Sequence, residues 1–175
     1  VIVPAQTHTA TAHAVEYTGA KAIFSDVEFP SGNMSLDLLK KKISNKTKGI
    51  IVVHMAGYAC EMKKISLFCK KNKITLIEDC AHALGTFESG KHVGNYGISG
   101  NFSFYPTKQI TTGEGGAIVT NSKEFYKKIK TLKAFGIDKD INNRKKQGDY
   151  DVKFLGLNYR MTDFQAALGY SQAKS

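Results

Sequence analysis

Apolar and polar positions run along this chain in two alternating rhythms. Short β-branched runs read as strands: "VIVP" (1–4), "KAIFSDV" (21–27), "KGIIVVHM" (48–55) and "KITLIEDC" (73–80). "GNFSFY" (100–105) and "GGAIVTN" (115–121) add two more. Between them, three-to-four spacing reads as helix. "TATAHAVEYTGA" (9–20) carries Ala10, Ala14, Val15 and Tyr17 at that spacing, with Gly19 as a stop. "LDLLKKKI" (36–43) has Ser35 as its N-cap and Leu36, Leu39 and Ile43 on one face. "EMKKISLFCKKN" (61–72) turns Met62, Ile65, Phe68 and Cys69 inward. "SKEFYKKIKTLKAFG" (122–136) is a helix stopped by Gly136, and "MTDFQAALGYSQAK" (161–174) is one capped by Thr162 or Asp163. The polar segment "IDKDINNRKKQGDYD" (137–151) reads as a loop.

Strands that alternate with helices predict an α/β domain with a mostly parallel sheet and flanking helices. In such sheets ligands bind beyond the carboxyl ends of the strands. The residues to watch are therefore Gln6 to His8, Asp26, His54, Glu78 to His82 and the turn holding Lys108. There is no GxGxxG and no GxxxxGK[ST], so dinucleotide and P-loop chemistry lack their motifs.

Composition narrows this picture in three ways. Apolar content of 42% in 175 residues suits one packed domain and excludes disorder. The net charge of +10 raises a nucleic-acid partner, but the lysines are dispersed as Lys40–Lys42, Lys63–Lys64, Lys70–Lys71 and Lys127–Lys128 on polar helix faces. That pattern reads as solvated surface, with no nucleic-acid partner. No apolar run approaches the ~20 residues of a membrane span, and the three cysteines form no CxxC pair. A reducing cytoplasm is the expected compartment. The chain opens directly on a strand, so an internal fragment of a longer protein is expected.

Two residues invite chemistry. Asp79 ends a strand and precedes the small residues "CAHALG"; it is either a turn former or a carboxylate that holds a protonated heterocyclic nitrogen. Lys108 follows the aromatic "FSFY" strand and Pro106; it is either a solvated lysine or an amine placed against apolar residues for attack on a carbonyl. Ser103, with nearby turn amides, is a phosphate candidate. Gly113 to Gly116 offers close backbone approach or a simple turn. His8, His54 and His82 follow strands, but no HExxH or tight His/Cys set is present, so no metal is expected.

Together these segments resemble the DegT/DnrJ/EryC1/StrS family of pyridoxal-phosphate-dependent sugar aminotransferases. The resemblance runs in order through "VIVPAQTHTATAHAV", "GAKAIFSDV", "TKGIIVVHMAGYACEM", "IEDCAHALG", "GNFSFYPTKQITTGEGGAIVTN" and "GLNYRMTDFQAALG". It implies the fold type I, aspartate-aminotransferase-like architecture. Residues 1–137 would be part of the large, cofactor-binding domain. Residues 138–160 would be a loop and the Asn-Tyr-Arg-Met segment, and 161–175 the start of a helix toward a small domain.

The resemblance also implies roles. Lys108 would carry pyridoxal 5′-phosphate covalently and move protons. Asp79 would pair with the ring nitrogen, His82 would lie by the ring, and Ser103 would bind the phosphate. His8 would stack on the ring, where most relatives carry Phe, Tyr or Trp. Asn158 would reach the phosphate of a neighbouring subunit, implying a homodimer with shared active sites. The expected reaction moves an amino group from glutamate to a nucleotide-linked keto sugar. Relatives that deoxygenate sugars replace the lysine by His, so Lys108 points to amination. A non-catalytic or regulatory member of the family is the alternative. The family's upstream Gly-Thr/Ser phosphate turn and its small domain have no counterpart here, so the isolated chain is expected to be inactive.

Overall fold

The computed structural model describes residues 1–139 and 143–174. In chain order the elements are β1 (Ile2–Pro4), α1 (Thr9–Glu16), β2 (Ile23–Ser25), α2 (Leu36–Lys40), β3 (Gly49–Val53), α3 (Met62–Lys71) and β4 (Thr75–Asp79). There follow β5 (Phe87–Glu88), β6 (Lys91–His92), β7 (Ser99–Ser103), β8 (Gly116–Val119), α4 (Lys123–Leu132) and α5 (Asp163–Gln172). Six strands form one sheet in the order β2-β1-β3-β4-β7-β8. The first five run parallel and β8 lies antiparallel to β7. This is the expected mostly parallel α/β sheet.

The central strands β1 and β3 read as continuous apolar runs because both faces of the sheet are covered there, while the edge strands β2 and β8 are partly exposed. Successive side chains point to opposite faces. Ile2, Ile50, Val52 and Leu76 therefore pack with Leu39 of α2 and Met62, Ile65 and Cys69 of α3. Val3 and Ile51 pack with Val15 of α1 on the other side. Each fully buried aliphatic side chain contributes about 1.5–3 kcal/mol of transfer free energy.

The caps follow the sequence. The Ser35 side chain accepts from the Leu38 amide, and Thr162 forms a capping box with Gln165. The paired lysines of α2, α3 and α4 are exposed.

Three local expectations change. The α1 face that turns inward is Thr11, Ala12 and Val15, while Ala10, Ala14 and Tyr17 are exposed. A polar residue on the inward face has displaced the alanine stripe, and its partner, described below, explains why. The strand expected to end at Tyr105 ends at Ser103. The Phe104 amide still reaches Gly115 O at 2.9 Å, after which Pro106, lacking an amide hydrogen, cannot continue the ladder. A two-stranded hairpin, β5–β6, was not legible. Its two turn residues, Ser89 and Gly90, both have positive φ, at 49° and 76°, as a type I′ turn requires.

Within the polar segment 137–151, residues 140–142 lie outside the described residues. The rest is held by an Ile137–Val152 bridge and the Lys139–Asp149 ion pair at 2.7 Å. Among the described residues no helix is long and apolar enough to cross a membrane.

Candidate active site

Because β1, β3, β4 and β7 are parallel, their carboxyl ends share one edge of the sheet. The chain leaves β1 for β2 on one side and later adds β3 on the other, so a crevice opens at that edge. A cavity of about 390 Å³ sits there, lined by Met55, Ala56, His82, Thr107, Lys108 and Gln109. It joins the loops after β3, β4 and β7. Ala56 holds a left-handed backbone, φ 51°, in the loop after β3.

Lys108 is half-buried in a turn closed by its amide on Tyr105 O at 3.0 Å. The side chain of Gln109 donates to the backbone carbonyl of His82, joining this turn to the loop after β4. Gln172 of α5 grips the same turn from behind. It accepts from the Thr111 amide at 2.9 Å and donates to the Thr111 carbonyl at 2.6 Å. Gln165 donates to Glu114 O at 2.7 Å. The glycine cluster 113–116 is the return turn into β8: Gly113 has φ 76° and Gly116 pairs with Ser103.

Asp79 ends β4 with both carboxylate oxygens in use. Oδ1 accepts from the Ala81 amide at 3.1 Å, and Oδ2 accepts from the Thr11 hydroxyl at 2.8 Å. Thr11 is the polar residue on the buried face of α1. Its i−4 neighbour Thr7 lies 2.8 Å from its hydroxyl.

His82 connects the predicted residues. Burial lowers its pKa, and the Lys108 charge lowers it further; Asp79 opposes this and His8 adds to it. Lys108 and His82 line the same cavity. His82 Nδ1 is buried without a hydrogen-bond partner. Buried polar atoms are rarely left so, and His82 is one of the residues lining the cavity. His8 is exposed and caps α1, its Nδ1 accepting from the Ala10 amide at 3.1 Å.

Of the predicted residues only His82 and Lys108 line the cavity; Asp79, His8 and the remaining ones do not. Ser103 is half-buried at the end of β7, its hydroxyl accepting from the Tyr105 amide at 3.3 Å, and it does not line the cavity. Asn158 is exposed and accepts from Arg160 Nε at 2.9 Å. The residues that follow it, Tyr159, Arg160 and Met161, help line a separate groove of about 1060 Å³, which Asn158 itself does not line.

Glu78 is the site's buried support. Its carboxylate accepts from the amides of Gly94, Tyr96 and Gly97, each at 2.7 Å. His54 Nδ1 accepts from the Cys60 amide at 3.1 Å, which leaves its Nε2 to face Glu78 Oε2 at 3.4 Å. Burial raises the Glu78 pKa, but the His54 contact and the three amides outweigh it and hold it below the ordinary value. His54, Glu78 and Cys80 bring ligand atoms within 4.8 Å of one another. The His54 and Glu78 acceptors already hold hydrogen bonds, and burial pushes the Cys80 thiol up, away from the thiolate a metal needs. His54 and Glu78 form a hydrogen-bonded core network.

An amine, a carboxylate and an imidazole with an unpartnered nitrogen thus stand at the carboxyl edge of a parallel sheet. The model of the DegT/DnrJ/EryC1/StrS aminotransferase family matches residues 1–175, and the chain belongs to that family. It is 42% identical over 172 residues to GDP-perosamine synthase of Escherichia coli O157:H7, covering 98% of this chain and 45% of the relative. An aminotransferase structure from Psychrobacter cryohalolentis superposes with TM-score 0.93 at 35% identity, covering 99% of this chain and 45% of that one. A Streptococcus pneumoniae structure described as a sugar aminotransferase in its PLP-form gives 0.87 at 29%, covering 99% and 48%. The chain thus spans about half the length of the relatives it matches.

The family's cofactor is pyridoxal 5′-phosphate. The residues present suit it. Lys108 and His82 line one cavity, His82 Nδ1 lacks a partner, and each Asp79 oxygen retains a lone pair after accepting one bond.

Proposed function

We propose that this chain is the cofactor-binding part of an aminotransferase that moves an amino group from glutamate to the keto group of a nucleotide-linked sugar. The observation that carries the reading is that Lys108 and His82, whose Nδ1 has no partner, line one cavity at the sheet edge where Asp79 ends β4. Bound pyridoxal 5′-phosphate supplies an electron sink for the charge left on a substrate carbon.

The chain's own residues do the rest. The Asp79 carboxylate pairs with the protonated ring nitrogen and keeps it cationic. The Lys108 amine holds the cofactor and, once released, takes a proton from the donor carbon and returns one to the sugar carbon. His82, held neutral at pH 7 by burial and by Lys108, offers Nδ1 to a ring oxygen. Ser103 would hold the phosphate, and His8, at the start of α1, would pack on the ring. Asn158 serves the phosphate of a neighbouring subunit, which makes the working form a homodimer with shared sites. The sugar reading is supported by the relatives, whose names include GDP-perosamine synthase and a UDP-linked altrosamine transaminase.

The test is borohydride reduction of the intact protein after incubation with pyridoxal 5′-phosphate, followed by peptide mass mapping. The cofactor mass is expected on Lys108 and absent in Lys108→Ala. Glutamate with GDP- and UDP-linked keto sugars should then yield amino sugars with wild type and not with that variant. A reduced adduct on another lysine, or none, sinks the proposal. Sugar amination that survives Lys108→Ala sinks it equally.

A further inference from the structure

Resting on the cofactor reading above, we infer that Thr11 is a positioning residue that aims the Asp79 carboxylate at the ring nitrogen, with Thr7 behind it as a second donor. The direction of the chain is fixed by chemistry. The Asp79 carboxylate can only accept, so the Thr11 hydrogen goes to Oδ2 at 2.8 Å. The Thr11 oxygen is then left as the acceptor for Thr7, 2.8 Å away, and the order is Thr7 to Thr11 to Asp79.

Thr11 is 4% exposed and stands on the one helix face that meets the sheet, between its i−4 neighbour Thr7 and its i+4 neighbour Val15. An apolar side chain would serve packing at least as well there, since burying a hydroxyl costs free energy unless it is bonded. The hydroxyl instead reaches 68 residues along the chain to the carboxylate at the carboxyl end of β4. Its neighbour Glu78 belongs to the loop 94–97 on the other side.

The second oxygen, Oδ1, is held by the Ala81 amide. With one donor on each oxygen the carboxylate cannot rotate about its χ2 bond without breaking both bonds. One lone pair per oxygen stays free. Aromatic stacking and nitrogen pairing are also joined mechanically: His8 caps α1 and Thr11 is one turn further along the same helix. A shift of α1 would move both together.

The experiment compares two ligands on the intact protein. One is pyridoxal 5′-phosphate; the other is its carbocyclic analogue, in which CH replaces the ring nitrogen. Dissociation constants come from absorbance titration or equilibrium dialysis, with no turnover required. Thr11→Val, which keeps the shape and removes the hydroxyl, should weaken pyridoxal 5′-phosphate about ten-fold, as expected for a hydrogen bond to a charged group. It should change binding of the analogue less than two-fold. Thr11→Ser should restore wild-type affinity. Thr11→Ala serves in place of valine if that variant does not fold, with the same expected contrast.

Equal weakening of both ligands would make Thr11 a packing residue and overturn the inference. So would no weakening of either. Wild-type protein that binds neither ligand would overturn the cofactor reading itself, an outcome distinct from a wild type that binds and a variant that shows no contrast.

Discussion

Replacing Glu78 by Gln removes a single charge from the middle of the molecule, and the structure sets the size of the effect. The carboxylate is fully buried and accepts three amide hydrogen bonds at 2.7 Å, with His54 Nε2 at 3.4 Å. A glutamine has one acceptor oxygen. If it keeps Tyr96 and Gly97, its NH2 group must face the Gly94 amide and His54 Nε2, which are both donors. Two bonds to a charged acceptor are lost and buried donors are left unpaired. Each such loss is worth about 1.5–3 kcal/mol, so Glu78→Gln should destabilise the protein by about 3–6 kcal/mol. Against a total of about 5–15 kcal/mol, that is a large fraction.

Urea unfolding of the intact protein, followed by circular dichroism, measures this change. Its pH dependence provides a second reading of the same network. The Glu78 pKa is held below its ordinary value of 4.5 in the fold. Its stabilisation is therefore complete above pH 4.5 and is lost as pH falls through the folded value. Wild type should lose stability over that acid range more steeply than Glu78→Gln. A loss below about 1 kcal/mol, or parallel acid profiles, would refute the idea that this carboxylate holds the loop 94–97 to the sheet.

Two other outcomes are expected. In cofactor-free protein the His82 imidazole should titrate below its ordinary value of 6.5 by NMR, and Lys108→Met should raise it, because the Lys108 charge is the second cause after burial; a value at or above 6.5 would contradict the site geometry. Gly100→Ala should destabilise by more than about 3 kcal/mol in the same urea assay, because its Cβ would fall 2.2 Å from Gly94 Cα and neither backbone can yield; an unchanged midpoint would mean that the loop 94–97 moves freely.

The order of strands and helices was legible because burial on both faces leaves a direct trace: "GIIVV" is uniformly apolar, and all five residues of β3 are buried. Ser35 and Thr162 announced helix starts because capping is local chemistry. Lys108, Asp79 and His82 stood out because a strand-end position in a parallel sheet is itself a functional address. The β5–β6 hairpin escaped because its strands are two residues each, too short for any period. The inward face of α1 escaped because a threonine among alanines looks like surface until its partner is known.

By itself, then, the sequence determined the elements, the parallel sheet and the lysine to examine, since these depend on contacts close along the chain and on the apolar pattern. Tertiary structure alone decided what surrounds that lysine. Thr11 reaches Asp79 across 68 residues, Gln172 grips Thr111 across 61, and Glu78 gathers three amides from a loop 16–19 residues away. Each bond joins polar groups whose partners are chosen by the packing of helices on the sheet, and no local pattern in the chain encodes that choice.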